Sequence, residues 1–128
     1  MQVTSQPFGD ATVARVSGRI DHTSAAALEA ALRPLIVDLG ARADTLVLDF
    51  SGVDYISSVG LRSLMIAAKQ MREHKAQLIV TALQSVVAEI FAISRFDRIL
   101  TVTATLDDAL ALCSPSALAQ YRIAGSRP

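Results

Sequence analysis

Net charge is the first thing this sequence lacks, because 12 Lys and Arg residues balance 12 Asp and Glu over 128 positions. Without a basic field or stripe the chain has no source for the phosphate-driven affinity behind nucleic-acid binding, so DNA and RNA are excluded as main partners. Cysteine is almost missing as well. The lone thiol, Cys113, can neither close an internal disulfide nor share a zinc site with a second, which fits a reducing compartment and a role as a small core side chain. No run nears the roughly 20 apolar residues that span a bilayer. Arg, Lys or Asp interrupts every candidate, which excludes direct membrane insertion but not docking to a membrane complex. The opening residues, MQVTSQPF, hold neither a charged leader nor an apolar run with a cleavage site, and a cytoplasmic location is expected. Internal repeats, low-complexity tracts and linkers are missing too. The expected organisation is one domain over residues 1–114 and a helical or frayed tail over 115–128.

What is present is enough apolar material for a core. The composition is 52% apolar and 19% charged, too apolar and too neutral for disorder. A compact chain of this size buries roughly two-thirds of its unfolded surface. Val3-Thr4-Ser5 and the alternating Thr12-Val13-Ala14-Arg15-Val16, separated by Gly9-Asp10, predict an opening hairpin. Leu28, Leu32, Leu35 and Leu39 then form one helical stripe, with Thr23 or Ser24 to cap its start and Gly40 to end it. Pro34 inside that stripe predicts a kink or a broken last turn. Thr45–Phe50 reads as a central strand buried on both faces, bounded by Ser51-Gly52.

From Ser58 the residues Leu61, Leu64, Met65, Ala68 and Met71 recur at helical spacing, with Met65 and Met71 as core packing. A strand is expected at Gln77 to Thr81, and a helix after Ser85 with Val86, Val87, Ile90 and Phe91. A strand at Ile99 to Val102 and a helix opening at Leu106-Asp107-Asp108 follow. After Pro115 the weak pattern of Leu118 and Tyr121 predicts fraying toward Gly125-Ser126-Arg127-Pro128. Alternating strands and helices imply an α/β fold, a mixed sheet of about five strands, antiparallel in its hairpin and parallel thereafter, with about four helices.

The informative stretch runs from Asp49 to Leu61. It joins the buried strand to a helix through what reads as a polar loop, and so puts Ser57 and Ser58 at the carboxyl end of the sheet, where open α/β folds place their sites. One of these hydroxyls serves naturally as a helix cap, an interaction of about 1 kcal/mol. A hydrolase nucleophile is the rival reading, but its elbow needs G-x-S-x-G and Ile56 stands at the first glycine position of Ile56-Ser57-Ser58-Val59-Gly60. As a base, His74 is too far, about 24 Å along the same helix at 1.5 Å per residue. That leaves only His22, so no catalytic residue is assigned.

The same stretch resembles the phosphorylation loop of the STAS family, specifically its bacterial anti-sigma factor antagonists. In that family a strand ends in an acidic residue, an aromatic and a small hydrophobe follow, and Asp-Ser-x-Gly-Leu opens the helix. The matching residues are Asp49, Tyr55, Ile56 and Ser57-Ser58-Val59-Gly60-Leu61. Gly18-Arg19-Ile20-Asp21 is similar to the family's Gly-Glu-(Leu/Ile)-Asp turn. Val87, Phe91, Ile99 and Leu106-Asp107-Asp108-Ala109-Leu110 are similar to its closing elements, and the likeness covers about Val3 to Leu112.

Two positions depart from the pattern. Ser57 replaces the Asp before the phosphorylated serine, and Arg95 stands where Gly commonly follows the third helix. Aligned on Gly60-Leu61, the acceptor that the resemblance implies is Ser58, with Ser57 as the second candidate hydroxyl. It implies an anti-sigma factor partner that is a serine kinase of histidine-kinase-like ATPase fold, a serine phosphatase, and no chemistry, cofactor or metal of the chain's own.

The partner surface is expected at Asp21, His22, Thr23, Ser57, Ser58, Val59, Gly60, Leu61 and Arg62. Bland roles stand beside these: Asp21 as a helix cap, His22 as a solvated loop residue, Arg62 as a solvated cation. The family also offers another job, accessory subunit of a lipid-transport or stress-signalling complex. Weak nucleotide binding, a third family property, finds no Gly-rich phosphate loop here.

Overall fold

A computed structural model describes residues 1–125, and the end of the expected tail, Ser126-Arg127-Pro128, lies outside the described residues. The sheet has five strands in the order β1-β2-β3-β4-β5. β1 (Gln2–Phe8) and β2 (Ala11–Ile20) form the expected antiparallel hairpin, turned at Gly9 with φ 64°. β3 (Thr45–Ile56), β4 (Gln77–Thr81) and β5 (Thr101–Thr103) continue in parallel. Parallel neighbours need crossovers, and the helices supply them.

Alternation along the strands divides the core into two layers. Ala14, Val16, Ile20, Leu46, Leu48, Phe50, Leu78 and Val80 point to one face, together with α1 (Ala25–Ala41), α2 (Ser58–Glu73) and Val87 and Phe91 of α3 (Ser85–Ile93). Val13, Val47 and Ile79 point to the other, where α5 (Leu106–Ala111) and α6 (Pro115–Gly125) cover them. A strand buried on both faces was expected over Thr45–Phe50, and every residue in it is buried.

Several expectations are corrected. The polar loop after Phe50 does not exist: β3 stays extended to Ile56, because β2 runs alongside it and, after one register shift between Arg15 and Ser17, pairs from Ser17↔Gly52 to Ile20↔Ile56 across a second. β4 stops pairing at Asp49↔Thr81, so β2 and β3 project beyond the rest of the sheet. In α1 the helix runs unbroken through Pro34, and Ile36 rather than Leu35 is the fully packed member of the stripe. Gly40 does not end the helix. It is buried inside it, where a Cβ would stand 3.1 Å from the His74 ring, and the left-handed residue that follows the helix is Ala43 at φ 54°.

Ile99 belongs to a one-turn helix, α4 (Phe96–Ile99), and the strand starts at Thr101. With α4 and α6 the helices number six among the described residues, rather than about four. Met71 is fully buried as expected, but Met65 is only half-buried. Arg95 adopts the left-handed region at φ 61°, a conformation that costs a non-glycine residue about 1 kcal/mol. The segment from Pro115, expected to be helical or frayed, is helical to Gly125 and packs on the sheet, with Ala117 fully buried and Tyr121 meeting Phe8 edge-on at 5.6 Å between centroids. Cys113 is half-buried against α5, with burial pushing its thiol pKa up. Among the described residues no helix is long and apolar enough to cross a membrane.

Candidate functional site: the projecting lip of β2 and β3

Because β2 and β3 run parallel and end level, Asp21 and Ser57 leave the sheet side by side. The seam between them is closed by Ser57 N–H donating to the Ile20 carbonyl at 2.8 Å. Ser57 sits at φ −87°, ψ 170°, the extended conformation of an N-cap, and its Oγ accepts from Gly60 N–H at 3.2 Å. It thus supplies the oxygen that an Asp would supply in the resembling pattern. Ser58 is the first residue of α2, exposed, with no side-chain hydrogen bond among the described residues.

The rest of the expected surface divides by burial. Val59 is 49% exposed and Arg62 is exposed one turn on, whereas Gly60 and Leu61 face inward. Gly60 permits a close approach: a Cβ there would lie 2.7 Å from Ile20 Cγ2 and 2.8 Å from Ile56 Cγ1. Leu61, Leu64, Ala68 and Met71 anchor the helix beneath. The Ser58 hydroxyl is therefore held on an anchored helix start with its oxygen uncommitted among the described residues. It has neither a base nor an acid as hydrogen-bond partner among the described residues.

Across the seam Asp21 is tied into its own turn. Its Oδ1 accepts from Thr23 Oγ1 at 2.6 Å and Thr23 N–H at 2.9 Å, and its Oδ2 from Arg19 Nε at 3.2 Å. Led by the Thr23 hydroxyl, these donors pull the Asp21 carboxyl from its ordinary 3.8 down to about 2. The expected capping by a Thr23 or Ser24 side chain is not what closes α1. The Asp21 carbonyl accepts from Ser24 and Ala25 N–H, while Ser24 Oγ accepts from Asp21 N–H and donates to the Arg19 carbonyl. His22 and Thr23 are exposed beside this knot.

One feature of the lip escaped the sequence. Arg19 lies opposite Tyr55 in the register, with its guanidinium carbon 4.0 Å from the centre of the Tyr55 ring. Strict pairing counted from the start of β2 and β3 would have misaligned them, because the two register shifts intervene. Among the described residues no group of three or more metal-ligating side chains gathers.

The STAS domain family matches residues 2–109, which is β1 through most of α5. BtrV of Bordetella bronchiseptica, named as an anti-sigma factor antagonist, is 36% identical over 111 residues, covering 87% of this chain and 93% of BtrV. The anti-sigma-F factor antagonist RsfB of Mycobacterium tuberculosis is 31% identical over 108 residues, covering 84% of this chain and 85% of RsfB. The crystal structure of an anti-sigma factor antagonist from Mycobacterium paratuberculosis superposes with a TM-score of 0.77 at 27% identity, covering 88% of this chain and 92% of that one.

Proposed function

Because the chain belongs to the STAS domain family, we propose that it is an anti-sigma factor antagonist working by partner switching in the cytoplasm. Unphosphorylated, it binds an anti-sigma factor that is also a serine kinase of histidine-kinase-like ATPase fold, and the sigma factor is freed. The kinase transfers the γ-phosphoryl group of ATP to Ser58 Oγ, the hydroxyl proton departs, and ADP leaves. A serine phosphatase restores the hydroxyl by hydrolysis. The observation that carries this reading is the division between the two serines: Ser57 spends its oxygen on Gly60 N–H, and Ser58 is exposed and free of such a bond among the described residues. The relatives named as antagonists support it.

The physics of the off state follows. A phosphoserine adds a charge of about −1.5 to −2 and three acceptor oxygens. At the first residue of a helix that charge is favoured by roughly 0.3–1 kcal/mol, so the fold survives modification. A partner lying over Ser58 would have to desolvate the dianion, and an unmatched buried charge costs several kcal/mol. Each 1.4 kcal/mol is tenfold in affinity, so a loss of two decades or more is expected. Val59, Arg62, His22 and Thr23 supply the rest of the docking surface, with Gly60, Leu61 and Asp21 shaping it from beneath.

The test is phosphate incorporation from labelled ATP by the histidine-kinase-like ATPase encoded nearest this gene. Wild type and Ser57→Ala should each take up one phosphate, mapped to position 58, and Ser58→Ala none. Incorporation at Ser57, or undiminished incorporation into Ser58→Ala, would contradict the assignment.

A further inference from the structure

The Arg19 side chain combines two properties that seldom occur together on a surface: it is 60% exposed, and it is fixed. Tyr55 holds the guanidinium plane from one side at 4.0 Å, and Asp21 holds its Nε at 3.2 Å. Asp21 in turn is held by Thr23 at 2.6 and 2.9 Å. The Nη groups make no hydrogen bond among the described residues. A guanidinium carries five N–H donors in a planar fork, so this one presents its outer edge to solvent already oriented. An exposed arginine ordinarily loses rotamer freedom when it is captured, and a restrained one loses less.

Position says what meets that edge. Arg19 pairs with Tyr55 and Ile20 with Ile56, and Ser58, the first residue of α2, lies three residues beyond Tyr55. A standard protein interface covers about 800 Å² on each partner. Ile20 and Ile56 point toward α2, so Arg19 and Tyr55, one residue before them, point to the other face of the sheet, and a protein seated over Ser58 reaches the guanidinium by lapping over the lip. The fixed negative charge of Asp21 beside the guanidinium disfavours a dianion there and leaves a singly charged carboxylate as the better match.

Resting on the reading of the chain as an antagonist, we propose that Arg19 is a specificity-determining residue that receives an Asp or Glu side chain of the anti-sigma partner, with Tyr55 as its positioning residue. The contact is end-on, from the two Nη groups to the carboxylate. Tyr55 acts only through Arg19, by keeping the fork turned outward.

The experiment measures the affinity of the full chain for the histidine-kinase-like ATPase encoded nearest this gene, at several salt concentrations, for wild type, Arg19→Gln, Arg19→Glu, Tyr55→Phe and Tyr55→Leu. Arg19→Gln should weaken binding about tenfold and flatten its salt dependence, and Arg19→Glu should weaken it about a hundredfold, as expected for charge-assisted contacts at an interface. Tyr55→Phe keeps the ring and should bind like wild type. Tyr55→Leu should lose about threefold to fivefold, with an unchanged thermal midpoint excluding a folding defect.

If wild type binds and Arg19→Glu binds equally well, the inference falls while the antagonist reading stands. If wild type does not bind at all, the antagonist reading falls and takes the inference with it. Should Arg19→Gln leave binding intact but alter the phosphorus resonance of Ser58-phosphorylated protein, the guanidinium serves the phosphate in cis, and the partner-carboxylate assignment is wrong.

Discussion

Ser57 lies outside the first turn of α2 and directs its oxygen onto Gly60 N–H at 3.2 Å, while Ser58 lies inside that turn with an exposed hydroxyl that makes no hydrogen bond among the described residues. The two substitutions to alanine should therefore separate cleanly in urea denaturation. Ser57→Ala removes an N-cap and should cost about 1 kcal/mol. Ser58→Ala, on the surface with nothing to lose, should stay within about 0.5 kcal/mol of wild type. Equal destabilisation by both would mean that Ser58 carries the cap.

Asp21 gives a second check at this scale, since its carboxyl titrates at about 2 instead of 3.8. The folded value is the lower one, so the stabilisation is present above pH 3.8 and is lost as pH falls from there through about 2. Thr23→Ala removes the leading cause, and carboxyl NMR titration should find Asp21 moved back toward 3.8. An unmoved resonance would show that Arg19 and Ser24 suffice. The adjacency of the hydroxyls was legible from sequence, and so was the role of one as a cap. Which of the two caps depends on a single residue of helix register, and patterns of apolar spacing do not resolve that.

At the level of elements, the site exists because β2 and β3 outrun β4, and that extension was the main misreading. Ser51-Gly52 and Asp54 looked like loop chemistry. The parallel pairing of Ser17 to Ile20 with Gly52 to Ile56 overrode that local preference, as tertiary pairing commonly does for short polar stretches. The buried half of β3, the hairpin and β4 were legible because continuous or alternating apolar residues leave few alternatives.

The seating of α2 on this extension depends on Gly60. Alanine there gains about 1 kcal/mol in helix propensity, but its Cβ would meet Ile20 Cγ2 at 2.7 Å, Ile56 Cγ1 at 2.8 Å and the Ile20 carbonyl oxygen at 3.3 Å. Both γ-carbons sit on β-branched side chains that have little freedom to turn, so the clash outweighs the propensity. Gly60→Ala should lower stability by about 1–2 kcal/mol net and weaken partner binding more than Ser57→Ala does. A stabilised Gly60→Ala protein would show that α2 stands off from the lip.

For the whole molecule, the two-layer arrangement divides labour. One face carries α1, α2 and α3 and so presents Ser58, and the other is sealed by α5 and α6 over Phe8, Val13, Val47 and Ile79. The α/β class and the mixed sheet were legible from alternation alone. The docking of α6 was not, since its apolar residues Ala117, Leu118 and Tyr121 are few and gain their meaning only from Phe8 on the distant first strand. Truncation after Ser114 should expose that patch and cost about 3 kcal/mol in chemical denaturation. A truncated chain as stable as the full one would show that α6 merely rests on the surface.

The molecule as a switch is tested most directly by calorimetric titration of the proposed partner, the histidine-kinase-like ATPase encoded nearest this gene, with two preparations of this chain, one unmodified and one carrying phosphoserine installed at position 58 during synthesis. Tight binding of the first and affinity at least a hundredfold weaker for the second is the result expected from burying an uncompensated dianion. Equal affinity for the two preparations would contradict it.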